Sequence, residues 1–161
     1  MNIAILWGTG QWPEGRLTRF LEGATIAVCN SGFYEKEGPL STPEIIAQKP
    51  LLHDTDRQGW QSWMKKSGLG YLGPAPGPIF EDFNLLRAAA LAGQGIALCP
   101  KSLVVDDLAS GRLIQLSDVT INEDHAYYII EPSDTLHRHA AAIALFKEWL
   151  LEQASSRSAA S

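Results

Sequence analysis

His53 and Asp54 stand side by side at the end of an apolar run, 51–54. An imidazole beside a carboxylate can move protons near neutrality, or can hold a polar ligand. The pair can also serve the fold alone, with Asp54 or Asp56 capping the helix that follows. Neighbours along a strand point to opposite faces, so adjacency in the chain does not make them partners in space. Gly8-Thr9-Gly10 closes another apolar run, 3–7. Ligands of open α/β sheets bind at the carboxyl ends of strands, and glycine lets a backbone come close. The turn therefore lines a cleft or is merely structural. A nucleotide loop is not expected, because Trp12 and Pro13 follow where a third glycine and a helix would be needed. Asp82-Phe83-Asn84 stands where a helix should begin. Free N–H groups there attract anions and polar groups, and Phe83 offers an apolar face. Capping is the plainer role for the same residues. The candidate ligand contacts are thus Gly8, Thr9, Gly10, His53, Asp54, Phe83 and Asn84.

Other reactive side chains lack the neighbours that chemistry needs. Cys29, Cys99 and Ser31 lie in no Gly-x-Ser-x-Gly setting and near no obvious histidine. Both cysteines sit in apolar runs and read as buried, reduced and inert thiols. His137 and His139 are two apart at a helix start, the wrong spacing for one face, and His125 falls near a strand. No catalytic set, metal site or cofactor is expected. Trp60, Trp63 and Met64 recur at i, i+3, i+4, the pattern of a helix face turned to the core.

These residues need a scaffold. Strand patterns fall at 3–7, 25–30, 51–54, 78–81, 96–99, 112–116 and 125–131. Several are continuously apolar, as in sheets covered on both faces. Between them, Ser41 or Thr42 can open a helix with Pro43 at its first position, and Asp56 can cap a second. Asp82 or Asn84 opens a third over 85–92. A fourth runs 101–110 with Gly111 at its stop. A last helix shows Ala142, Ile143, Phe146, Trp149, Leu150 and Gln153 on one face. The segment 68–78 holds four glycines and three prolines and reads as a long turn. The alternation predicts an α/β fold with a mostly parallel sheet.

The chain has 161 residues, enough for about one domain, with 45% hydrophobic and 19% charged residues. Its net charge is −5 and its 13 basic residues are scattered, Lys65-Lys66 being the densest spot. A DNA-binding surface needs clustered cations, so none is expected. No run reaches the roughly 20 apolar residues that span a bilayer, and no secretion signal opens the chain. These features predict a cytoplasmic protein without a membrane partner.

Several segments together resemble the effector-binding domain of LysR-type transcriptional regulators, the glycine-cleavage-activator-like subgroup in particular. They are Ile3-Ala-Ile-Leu-Trp-Gly-Thr-Gly-Gln-Trp-Pro13, Pro50-Leu-Leu-His-Asp54 and Leu85-Leu-Arg-Ala-Ala-Ala-Leu-Ala-Gly-Gln-Gly-Ile-Ala-Leu98. Leu108-Ala-Ser-Gly-Arg-Leu113, Ala126-Tyr-Tyr-Ile-Ile-Glu-Pro132 and Phe146-Lys-Glu-Trp-Leu150 continue the series. The resemblance covers about residues 2–153. It implies a periplasmic-binding-protein-like (type II) two-lobe fold with a small ligand between the lobes. By it, 1–22 and 126–154 are a remnant of the first lobe, 23–125 is the second lobe with its hinge strands, and 155–161 is a flexible tail. Segments 25–30 and 125–131 would be the two hinge strands. The helix-turn-helix and the opening units of the first lobe, which the resemblance would place ahead of strand 3–7, are not in this sequence. Many relatives carry Asp where this chain has Asn2, and Arg where it has Leu6. Leu6 cannot bond a carboxylate as that Arg can.

The expectation is a non-enzymatic binding module for a small-molecule effector, from a truncated LysR-type regulator without direct DNA binding. The alternative is a protein-interaction module that homodimerises through exposed first-lobe edges or joins full-length LysR-type regulators. An enzyme would rest on His53 and Asp54 alone.

Overall fold

A computed structural model describes residues 4–11, 16–55, 57–70, 75–131, 145 and 148–153. Among them run the strands β1 (Ala4–Gly8), β2 (Arg16–Glu22), β3 (Thr25–Asn30), β4 (Leu51–Leu52), β5 (Ile96–Pro100), β6 (Leu113–Gln115) and β7 (Ala126–Glu131). The helices are α1 (Ser31–Glu37), α2 (Pro43–Ala47), α3 (Gln58–Lys66), α4 (Phe83–Leu91) and α5 (Val105–Ser110). The strands form two sheets, ordered β1-β7-β2 and β4-β5-β3-β6. The chain passes from the first sheet to the second between β2 and β3, and returns between β6 and β7.

Helix ends follow the local chemistry. Thr42 caps α2 through Oγ1, which accepts the Ile45 N–H at 3.3 Å, and Pro43 takes the first helical position. Asp82, rather than Asn84, caps α4, accepting the Asn84 N–H at 2.6 Å. Gly111 ends α5 at φ +78°, a backbone that glycine adopts without strain. Asp56, expected to cap α3, lies outside the described residues, and Arg57 at the cap position makes no side-chain cap bond. The expected helix 101–110 is divided into a 3-10 turn, Lys101–Leu103, followed by α5. Most of the last helix face, with His137 and His139, also lies outside the described residues. Residues 148–153 are helical, with Trp149 more than half exposed.

The mostly parallel sheet is corrected. β1–β7, β2–β7, β3–β5 and β3–β6 are antiparallel, and of the strand pairs only β4–β5 is parallel among the described residues. Continuous apolarity reports burial on both faces and carries no information on direction. β3 shows this: Thr25 to Cys29 are all buried, with Ile26 and Val28 turned to one cluster and Ala27 and Cys29 to the other. The first cluster receives Trp60, Trp63 and Met64 of α3; the second receives Leu86, Ala89 and Ala90 of α4. Segment 78–81 forms no strand, only a parallel bridge from Ile79 to His53.

Two elements escaped the sequence pattern. β2 carries a register shift between Arg19 and Leu21, which breaks its period-two alternation. α1 has seven residues and one buried side chain, Phe33. It begins where Asn30 accepts the Gly32 and Phe33 N–H groups, while Asn30 Nδ2 donates to the Leu91 carbonyl.

A buried carboxylate ties α4 to α5 and the turn after it. Asp107 has 1% of its side chain exposed and accepts Arg87 Nε and Nη2, both at 2.7 Å. Arg112 reaches it from an exposed position at 3.2 Å. Stripping a buried carboxylate of its partner is costly, whereas an exposed cation adds little. Arg87→Met is therefore expected to cost about 2–3 kcal/mol in urea unfolding and Arg112→Met less than about 1 kcal/mol. Equal losses would refute this division.

Cys29 and Cys99 are fully buried free thiols. Burial pushes Cys29 up to about 11 and Cys99 up to about 12, from 9.0. Native protein should leave both unmodified by a thiol reagent, and unfolded protein should expose both. The folded chain holds these protons where the unfolded chain loses them. Stability should thus be level below pH 9.0 and fall as pH rises through about 11 and 12. A urea midpoint that holds steady across that range would contradict the assignment.

Candidate functional site

Trp7 on β1 lies opposite Tyr127 on β7 across an antiparallel pair, and the two ring centroids are 4.8 Å apart. His125 lies 5.3 Å from the Trp7 ring on its other flank. This aromatic group stands over the two crossings between the sheets. Gly23 N–H donates to the His125 carbonyl at 2.9 Å, and Thr25 exchanges two backbone bonds with Ile121, at 2.9 and 3.1 Å. The Thr25 hydroxyl donates to the Gly23 carbonyl at 2.8 Å. A Cβ on Gly23 would lie 2.4 Å from the His125 carbonyl oxygen and 2.6 Å from Trp7 Cη2. The outgoing and returning chains therefore touch only because residue 23 has no side chain.

A cavity of about 660 Å³ opens beside these crossings. The first sheet supplies Trp7 and Tyr127, and the crossings supply Thr25, Ile121, Asn122 and His125. The second sheet supplies Leu52, Leu98 and Pro100, and the segment after β4 supplies His53, Asp54 and Thr55. Gln58, Gly59, Trp60 and Ser62 of α3, Phe80 and Glu81, and Phe83 and Leu86 of α4 complete it. Trp60 is held by its Nε1–H, which donates to the Leu52 carbonyl at 2.9 Å.

His53 is the unusual group. Its backbone is locked by the Pro78 carbonyl at 3.0 Å and the Phe80 N–H at 2.8 Å. Its side chain is 2% exposed, yet neither ring nitrogen has a hydrogen-bond partner. It is therefore not bonded to Asp54, which is exposed beside it, and the expected imidazole–carboxylate pair does not form. Gly77 makes room for the ring: a Cβ there would stand 3.2 Å from His53 Cδ2 and 2.0 Å from the Leu51 carbonyl oxygen. Burial, and then the charge of Asp54, push the Tyr127 phenol above its usual range, so it is a donor at neutral pH.

Of the seven residues chosen from sequence, His53, Asp54 and Phe83 meet at this cavity. Gly8, Thr9, Gly10 and Asn84 are not among the residues that line it. Gly8 ends β1 opposite Ala126, Thr9 is exposed, and Gly10 is left-handed at φ +87°. A Cβ on Gly10 would meet Tyr128 Oη at 2.9 Å, whereas Tyr127, not Tyr128, lines the cavity. Asn84 spends its N–H on the Asp82 cap. Sequence reasoning missed Trp7, Trp60, Tyr127 and His125. An alternating apolar strand hides which ring faces a cavity, and Trp60 belongs to the core and to the cavity wall together.

A family model described as the LysR substrate binding domain matches residues 1–155. The glycine cleavage system transcriptional activator of Escherichia coli strain K12 is 31% identical over 157 residues, 97% of this chain and 50% of that protein. The transcriptional activator AmpR of Rhodobacter capsulatus is 30% identical, over 96% of this chain and 51% of that protein. The chain thus spans about half the length of the curated relatives it matches. Among solved structures, the AmpR effector binding domain from Citrobacter freundii aligns with a TM-score of 0.79 at 23% identity, over 96% of this chain and 74% of that one. The effector domain of AmpR from Pseudomonas aeruginosa gives 0.78 at 23% identity, over 96% and 72%. At that identity the likeness speaks for the fold, which is α/β and of the type II periplasmic-binding-protein-like kind.

A buried imidazole without a partner weakens the fold that holds it, because its desolvation is not repaid. His53→Leu is expected to leave unfolding stability unchanged or to raise it by about 1 kcal/mol. A loss above about 1 kcal/mol in urea unfolding would mean that the ring is already satisfied.

Proposed function

The chain belongs to the LysR substrate-binding domain family, and from that membership we propose that it is the effector-sensing part of a transcriptional regulator. It takes a small molecule in the cavity bounded by Trp7, His53, Phe83 and Tyr127. The observation that carries this reading is His53: a buried side chain with two unpartnered nitrogens, in the wall of a cavity to which both sheets contribute. Such a group costs stability until a ligand supplies its partner. The residues proposed as contacts are His53, Asp54 and Phe83 from the sequence, joined by Trp7, Trp60 and Tyr127.

The mechanism follows from the two crossings. A ligand that touches Trp7 or Tyr127 on one side and His53 or Phe83 on the other bridges both sheets. It then favours the sheet arrangement in which all those contacts are made, a shift of population toward that state. The regulators named among the relatives are transcriptional activators, and the shift is proposed to bear on DNA through the rest of such a protein. No residue here is assigned a bond-making role, in keeping with a sensor rather than an enzyme. No helix among the described residues is long and apolar enough to cross a membrane.

A thermal-shift screen of small metabolites tests the reading. A ligand at about a hundred times its Kd adds about 2.7 kcal/mol, a rise in Tm of about 5–10 °C for a chain of this size. Phe83→Ala and Trp7→Leu should each abolish the rise. Ligands that stabilise both variants as they do the parent would place binding elsewhere.

A further inference from the structure

The charge pattern of the cavity narrows what it takes, and this step rests on the reading of the cavity as the effector site. We propose that the effector is a ring-bearing molecule with a cationic amino group, rather than a carboxylate or a phosphate.

The walls of the cavity are aromatic. Trp7 and Tyr127 stand on one side, and Trp60, Phe80 and Phe83 line the remainder. Ring faces stack with other rings and attract cations. Asp54 and Glu81 line the same space, and both are exposed. Among the described residues that line it there is no lysine and no arginine. The imidazoles do not reverse this balance. His125 Nδ1 is already engaged with Asp124 Oδ1 at 2.7 Å, and His53 is buried away from water. The charge of Asp54 is felt at the Tyr127 phenol and at Cys99, so its field extends through the cavity wall.

An anion entering here would meet two carboxylates without an opposing cation, in surroundings that screen less than water does. An ammonium group gains both carboxylates and the ring faces. The unpartnered nitrogens of His53 leave one donor and one acceptor, in the neutral ring, for a second polar atom of the ligand.

Three probes of one shape separate the charges: phenethylamine, phenethyl alcohol and hydrocinnamate. Each is titrated into the full chain, with affinity read by calorimetry and position read by NMR shifts of Trp7, Phe83 and Tyr127. Phenethylamine is expected to bind about tenfold tighter than the alcohol, with hydrocinnamate weakest. Asp54→Asn with Glu81→Gln should erase the advantage of the amine and leave the alcohol unchanged. If hydrocinnamate binds in the cavity as tightly as the amine, or if the double variant keeps the preference, the amine inference falls while the cavity remains the site. If all three leave the Trp7, Phe83 and Tyr127 signals unmoved at millimolar concentration, the cavity reading falls too.

Discussion

The space at Gly23 is the constraint on which the rest depends. There the chain leaves one sheet for the other within van der Waals reach of the segment coming back, and any side chain would strike the His125 carbonyl and the Trp7 ring. Because the two crossings touch, Thr25 and Ile121 exchange backbone bonds, and the pair of segments becomes a short ribbon between the sheets. That ribbon sets the distance from the Trp7–Tyr127 rings to the end of β4. The cavity exists because those parts are held near one another without filling the gap.

The second sheet obeys simpler rules. β3 is buried on both faces, and its alternate residues feed two separate apolar clusters. Burial of that kind stabilises by area alone and asks little of residue order. The polar exceptions are therefore informative. Asp107 is satisfied by Arg87 and Arg112 and belongs to the fold. His53 is satisfied by neither side chain nor backbone at its ring, and it borders the cavity. One buried polar group serves stability, and the other is held against it.

Much of this was legible in the order of residues. β3, β5 and β7 follow from their apolar runs, and the caps at Thr42 and Asp82 from residue type. The resemblance to LysR-type effector domains rested on six spaced segments, and the family model spans residues 1–155. Strand direction was not legible, because a strand covered on both faces looks the same in either sense. β2 was hidden by its register shift at Arg19–Leu21. At the site, His53, Asp54 and Phe83 could be chosen because each lies at an element end with polar or aromatic character. Gly8, Thr9 and Gly10 have the same local character, yet the turn they form stands against Tyr128, while the neighbouring Tyr127 lines the cavity. Which face a strand end presents depends on its partner strand, and Trp7 lies beside Tyr127 only through the β1–β7 register.

The central claim is that one small molecule touches both sheets across the crossings. Nuclear Overhauser contacts between a bound ligand and the protein measure this directly. The account requires contacts from the same ligand to Trp7 or Tyr127 and also to His53 or Phe83. A ligand with contacts on one side alone, or only at the Gly8-Thr9-Gly10 turn, would contradict it.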